Sequence, residues 1–145
     1  MTRQKHRITE LDESQCRELL TAHRTRLGRV AFVEDGDPDW PTVLPVNYAY
    51  HDGQIFFRTF EGSKLYAALR RQRVAFEIDV VDSAWKEGWS VVALGTLEVV
   101  RDPKHRAAVD EILRSWAADR TGQLVRLDIE LLTGREIIGA PLEDG

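Results

Sequence analysis

The spacing of apolar residues along the chain changes period repeatedly, and each change marks an element. Arg29-Val-Ala-Phe-Val33 is apolar and β-branched and predicts a strand. Glu34-Asp-Gly-Asp-Pro-Asp39 is turn material. A second strand spans roughly Pro41 to Tyr50. His51-Asp-Gly53 predicts a tight hairpin turn, with Gln54 to Thr59 returning as a third strand. So short a connection forces that pair to be antiparallel. Val74-Ala-Phe-Glu-Ile-Asp79 alternates in part, and Val80 to Gly88 reads as a loop carrying Trp85. Trp89 to Val100 is a long strand whose Gly95 permits a bend or bulge. Val125-Arg-Leu-Asp-Ile-Glu-Leu131 alternates throughout. Its odd positions are expected in the core, and Arg126, Asp128 and Glu130 against water or a partner. Gly134-Arg135 is expected to turn the chain toward Ile137 and Ile138.

Three helices complete the pattern. Asp12-Glu-Ser-Gln15 predicts a capping box, with Leu11 and Cys16 as its hydrophobic staple. That helix should run to about Thr25 and bury Cys16, Leu19, Leu20 and His23. A short helix is expected over Ser63–Arg70. Asp102-Pro103 reads as a cap followed by proline at the first helical position. The helix it opens should reach about Ala118 and bury Ala107, Ile112, Leu113 and Trp116. Six strands, mostly joined by hairpins and one of them bent, suggest an antiparallel barrel with helices at its ends rather than a doubly wound sheet.

Composition narrows the function classes. A chain of 145 residues predicts one domain, 1–145, with an ordinary core. Charged residues make up 30% with both signs interspersed, and the net charge is -4, so a nucleic-acid partner is not expected. Cys16 is the only cysteine, which excludes an intramolecular disulfide and a multi-cysteine zinc site. Met1-Thr-Arg-Gln-Lys-His-Arg7 has no apolar run behind it, and no uncharged apolar stretch reaches the roughly 18 residues of a membrane span. A cytoplasmic protein without a membrane partner is the expectation.

Candidate chemistry concentrates in Phe56-Phe-Arg-Thr-Phe-Glu-Gly-Ser-Lys-Leu65. An aromatic strand runs into two cations, two hydroxyls and a glycine at the start of a predicted helix. A helix N-terminus offers unpaired N–H groups and a positive dipole end. Lys64 acts as a point charge and Arg58 can fork onto two oxygens, which together suits a phosphate monoester. A strand–turn–helix with a capping serine and a solvated lysine uses the same residues. His6, His23, His51 and His105 are scattered without metal-site spacing, so no metal is expected, and no activated nucleophile is legible. Cys16 sits where a buried, inert thiol is expected. Trp85 and Trp89 flank a loop and suit core packing, a dimer interface or ring stacking. Arg70-Arg-Gln-Arg73 is a solvated helix end or a docking patch for an anionic tail.

In this order and spacing, Leu44-Pro-Val-Asn-Tyr48, Phe57-Arg-Thr-Phe-Glu-Gly-Ser-Lys-Leu65, Val74-Ala-Phe-Glu-Ile-Asp79 and Gly88-Trp-Ser-Val91 resemble the pyridoxamine 5'-phosphate oxidase-like, flavin-binding split-barrel family. The likeness runs from Leu11 to Arg135 and is greatest to the short branch of nitroimidazole-resistance-type proteins. It implies a mainly β fold with helices, a six-stranded antiparallel split β-barrel. It also implies a homodimer with flavin mononucleotide (FMN) in a cleft between subunits. On that resemblance Arg58, Thr59, Ser63 and Lys64 match the phosphate-binding segment, and Pro45, Val46 and Asn47 the strand lining the isoalloxazine ring. Trp89 and Ser90 match a segment that approaches the flavin from the partner subunit. The C-terminal basic motif that grips pyridoxamine phosphate in the oxidase proper is absent, so pyridoxamine is not the expected substrate. An FMN-dependent oxidoreductase acting on a small conjugated molecule is the first expectation. A deazaflavin-dependent reductase, whose longer anionic tail suits the extra arginines, and a non-catalytic flavin-binding module are the alternatives.

Overall fold

The computed structural model describes residues 6–23, 25–34, 37–59, 73–113 and 123–139. In chain order these form β1 (His6–Leu11), α1 (Glu13–Ala22), β2 (Thr25–Glu34), β3 (Asp37–His51), β4 (Gln54–Thr59), β5 (Arg73–Asp82), β6 (Glu87–Val99), α2 (Pro103–Leu113) and β7 (Gln123–Gly139). All pairings are antiparallel, in the order β1-β7-β4-β3-β2-β5-β6, and β6 returns to pair with β7. Six strands therefore close into the expected barrel, and β1 lies outside the ring as a seventh. The sequence reading did not include β1, because Arg7, Thr9 and Glu10 leave its segment without an apolar stripe. It forms because β7 runs past the end of β4 and leaves an edge, which residues 6–11 pair from His6↔Gly139 to Leu11↔Gly134.

Two expectations about β7 are corrected. Gly134-Arg135 does not turn the chain: Gly134 is paired on both edges, with Val91 of β6 and Leu11 of β1. The glycine instead admits α1, since a Cβ there would lie 2.7 Å from Cys16 Sγ and 3.3 Å from a Leu11 methyl. The alternation also does not hold to its end. Between Leu94↔Leu131 and Gly95↔Ile129 the register shifts by the one unpaired residue, Glu130. Val125 and Leu127 are buried as expected, but beyond the bulge the faces exchange. Leu131 is 54% exposed and Leu132 is 6% exposed.

The hairpin turns lie where the sequence puts them but are shorter: Glu34 and residues 37–39, expected as turn, belong to β2 and β3, with Glu34 paired to Asp37. Asp52 and Gly53 both have positive φ, 52° and 76°, as a two-residue hairpin turn of the I′ kind requires. Strands β5 and β6 extend further than expected, so the loop shrinks to residues 83–86. The Asp82 carboxylate accepts the Ala84 and Trp85 N–H groups there, at 3.0 and 3.3 Å, and Trp85 projects into solvent. Of the roles open to Trp85, core packing is thereby removed.

The two helices pack on different clusters, α1 on the barrel interior and α2 on the outward residues of β3 and β4. The capping box of α1 is complete: Gln15 N–H donates to Asp12 Oδ1 at 2.8 Å, and Asp12 N–H to Gln15 Oε1 at 2.9 Å. The helix ends at Ala22 rather than Thr25, with His23 as its C-cap. Cys16 and Leu20 are fully buried and Leu19 partly so. Asp102 caps α2 by accepting the Lys104 N–H at 3.0 Å. This helix buries Val109 and Leu113, one turn apart, while Ala107 is exposed, contrary to expectation, because it lies off that stripe. Trp116 and the expected helix over Ser63–Arg70 fall outside the described residues. The barrel interior holds Tyr48, Phe57, Phe76, Ile78, Leu97 and Leu127, and a second cluster under α2 holds Ala49, Phe56, Val100, Val109, Leu113 and Leu124. No helix among the described residues is long and apolar enough to cross a membrane.

The capping box gives a modest, measurable effect. Asp12→Ala should lower unfolding free energy by about 1 kcal/mol, the usual cost of an N-cap, in a urea titration. Gln15→Ala should cost less, because only the reciprocal bond is lost.

Candidate functional site

Strand alternation sorts the candidate residues onto two faces. On β3, Leu44, Val46 and Tyr48 pack into the barrel interior, so Pro45 and Asn47 point outward. On β4, Ile55 and Phe57 point inward, and Thr59 shares their parity and is 2% exposed, its hydroxyl 3.5 Å from the Gln123 carbonyl oxygen. Arg58 therefore points outward with Phe56. Asn47 and Arg58 are the next residues on from the paired Tyr48 and Phe57, so they emerge side by side on the outer face. On β6, Trp89 packs toward the core, its ring 5.2 Å from His23, and Ser90 faces outward opposite Asp79.

Cross-strand register arranges the outer face in rows. One row is apolar: Val43, Ala31, Ala75, Leu94 and Leu131 lie side by side across β3, β2, β5, β6 and β7. Its three large members remain exposed, Val43 at 59%, Leu94 at 41% and Leu131 at 54%. The next row reads Pro45, Arg29, Glu77, Val92 and Thr133. Beyond it, Asn47 pairs with Leu27, and Asp79 with Ser90, which in turn pairs with Arg135. Pro45, Asn47 and Ser90, taken from separate sequence segments, thus share one face. Val46 and Trp89 are directed to the other side of the sheet.

The polar centre of that face is a group of three charged residues. Arg29 Nη1 lies 3.0 Å from Asp79 Oδ2 and 3.9 Å from Glu77 Oε2. One guanidinium serves two carboxyls, and Asp79 holds it more closely. Burial, followed by the hydrogen bond and charge of Asp79, pushes the Glu77 carboxyl up from 4.5 to about 7, with Arg29 opposing. Ionised, Glu77 Oε1 is buried with no donor facing it. Protonated, Glu77 donates to Asp79, and the pair holds that proton up to about pH 7.

Sequence reasoning missed this trio. Its signal was present: Glu77 and Asp79 stand two apart in a strand, hence on one face, and Arg29 opens an otherwise apolar strand. What could not be read was that β2 and β5 pair with Arg29 opposite Glu77.

Arg58 is also differently placed from the sequence expectation of a cation awaiting a phosphate. It forms an ion pair with Asp110 of α2, the two side chains being 14% and 25% exposed. A phosphate at Arg58 must share it with Asp110. Ser63 and Lys64, the other half of the phosphate segment, lie outside the described residues.

Trp89 lines a cleft of about 360 Å³ with Val80, Asp82, Gly88, Glu136 and Ile137 at the far end of β5, β6 and β7. Burial, with Asp12 and Glu13 adding to it, raises the Cys16 thiol above its ordinary range, as expected of an inert cysteine. Among the described residues no group of three or more His, Cys, Asp or Glu side chains could hold a metal ion. The outer face can accept a flat heteroaromatic ring. Pro45 and the neighbouring apolar row supply a wall, and Asn47, Arg29, Glu77 and Ser90 supply donors and acceptors around it.

Comparison with known proteins agrees with this geometry. Residues 12–136 match the family model described as pyridoxamine 5'-phosphate oxidase. An uncharacterised protein of Mycobacterium tuberculosis is 31% identical over 136 residues, covering 90% of this chain and 86% of that one. The crystal structure of an FAD-binding protein from Mesorhizobium loti superposes with a TM-score of 0.76 at 28% identity, covering 92% of this chain and 98% of its own. A candidate 5-nitroimidazole antibiotic resistance protein from Bacteroides thetaiotaomicron superposes with a TM-score of 0.69, covering 98% of this chain and 93% of its own. At 15% identity that likeness concerns the fold.

Proposed function

The chain belongs to the pyridoxamine 5'-phosphate oxidase family, and from that membership we propose that it is a flavin-dependent oxidoreductase that works as a homodimer. The observation that carries the reading is the outer face, where register gathers Pro45, Asn47, Arg29 and Ser90 beside an exposed apolar row. A second copy covering that row would enclose a flat ring between two subunits. When bound, the flavin supplies the electron chemistry, and the protein binds, orients and excludes water. That division of labour suits a face with no nucleophile and no metal cluster among the described residues. The substrate is a small conjugated molecule, such as a quinone or nitroaromatic, lying against the same wall. FMN is the proposed cofactor, its phosphate held by Lys64, Ser63 and Arg58. FAD is a second reading, favoured by the binding named for the Mesorhizobium loti relative.

Titration of the purified protein with riboflavin, FMN and FAD, followed by flavin fluorescence, tests this. FMN binding far more tightly than riboflavin, with Lys64→Ala weakening FMN about 10- to 150-fold, is the expected result for a charge-assisted phosphate contact of about 1.5–3 kcal/mol. Equal affinity for riboflavin and FMN would remove the phosphate assignment. Tighter binding of FAD than of FMN would select the second reading. Light scattering should give a dimer mass at micromolar concentration. Turnover of a quinone by the loaded protein with reduced nicotinamide separates an oxidoreductase from a binding module.

A further inference from the structure

Glu77 stands in the same lateral row as Pro45, with only Arg29 between them. Two strand spacings separate Pro45 from Glu77, about 10 Å along the sheet. A ring lying on the Pro45 wall therefore reaches the Glu77–Asp79–Arg29 group. The charged groups facing Glu77 among the described residues are Arg29 on β2 and Asp79 on β5, while its register partner on β6 is the uncharged Val92. Their balance is one positive charge to two carboxyls, with Asp79 nearer the guanidinium.

We propose that flavin binds this face with Glu77 in its neutral, protonated form, so that flavin binding at alkaline pH takes up a proton. The inference rests on the flavin reading of the site. The physical reason is desolvation. The Glu77 side chain is still 36% exposed and the Arg29 side chain 38%. A ring laid over them removes that water, which penalises the ionised carboxylate and leaves the neutral acid little changed. The neutral acid also donates to Asp79, whereas the ionised form keeps a buried Oε1 charged and without a donor.

The sign follows from linkage. The free protein holds the Glu77 proton below about pH 7 and releases it above. The complex holds it to higher pH, so this linkage leaves affinity unchanged below about 7 and lowers it as pH rises above, approaching tenfold per pH unit for a single linked proton.

FMN dissociation constants measured from pH 7 to 9 test the proposal, together with calorimetry in buffers of different ionisation enthalpy. The phosphate of FMN, like other monoesters, ionises near pH 6 and so contributes little in this window. Wild type should weaken by roughly tenfold or more across the range and take up a fraction of a proton at pH 8. Glu77→Gln, which mimics the neutral acid, should bind with an affinity independent of pH and with no proton uptake. Asp79→Asn, which removes the carboxylate facing Glu77 and leaves Arg29 to pair with it, should move the fall in affinity to lower pH. A wild-type curve with the same slope as that of Glu77→Gln overturns the proposal and leaves the flavin reading intact. If Glu77→Gln fails to fold, an unchanged break in Asp79→Asn overturns it equally. Absence of FMN and FAD binding by wild type at every pH overturns the flavin reading and this inference with it.

Discussion

Gly95→Val should abolish the cooperative thermal transition of the barrel, or lower its midpoint so far that little folded protein survives at 37 °C. A Cβ at residue 95 would lie 1.9 Å from the Asp128 carbonyl oxygen and 2.9 Å from its carbon. Both atoms are backbone, so no rotamer change relieves the overlap. The neighbouring pairs Leu94↔Leu131 and Thr96↔Asp128 hold the two strands together on either side. Overpacking a core with extra side-chain atoms costs about 1–3 kcal/mol, where side chains can shift. Here β6 must separate from β7 instead, and that pairing is what closes the ring. Set against the roughly 5–15 kcal/mol that holds a domain of ordinary size, the loss is a large share. Gly53→Ala is the control. Its φ is +76°, but the nearest atom to an added Cβ is Arg17 Nη1 at 3.6 Å, so only left-handed strain of about 1–2 kcal/mol is incurred. Circular dichroism melts of the two variants distinguish these costs. A Gly95→Val protein melting within a few degrees of wild type would mean that the strands do not approach as described.

That glycine also marks where the sequence ceases to be readable. Local chemistry was legible: the Asp12–Gln15 box, the Asp52-Gly53 turn and the Asp102-Pro103 start each depend on residues within a few positions of one another. An irregularity at Gly95, a bend or a bulge, was legible too. Its consequence on the opposite strand was not, because the exchange of Leu131 for Leu132 in the core is decided by the partner register. The same holds for β1. Nothing in residues 6–11 demands a strand, and it exists because β7 has a vacant edge for it.

The candidate site divides along similar lines. Pro45, Asn47 and Ser90 come from motifs that alternation alone places on the outer face, and pairing then gathers them. Val46 and Trp89 sit within the same motifs, but period two sends them inward. Glu77 and Arg29 became visible as a unit only through the pairing of strands nearly fifty residues apart in sequence. Asp110 is a stronger case, since its partner Arg58 lies on a strand and Asp110 on a helix that packs over it.

Two substitutions in that last pair should move flavin affinity in opposite directions. Arg58 emerges beside Asn47 on the outer face, and its guanidinium is engaged by Asp110 from α2. If the FMN phosphate also engages it, Asp110 competes for the fork of donors and its negative charge opposes the phosphate. Asp110→Asn keeps the shape of the side chain and removes that charge, so FMN should bind more tightly, and riboflavin, which lacks the phosphate, should be unaffected. Arg58→Ala should weaken FMN about 10- to 150-fold, the value of one charge-assisted bond. It should also destabilise the fold, because Asp110, 25% exposed, is left without its cation. The double variant separates the two effects. With Arg58 already absent, removing the Asp110 charge should restore stability without restoring affinity. Urea titrations read the first quantity and flavin fluorescence the second. If Asp110→Asn and Arg58→Ala both bind FMN as wild type does while their unfolding curves shift, Arg58 serves only to fasten α2 to the barrel. The phosphate would then rest on Lys64 and Ser63 alone.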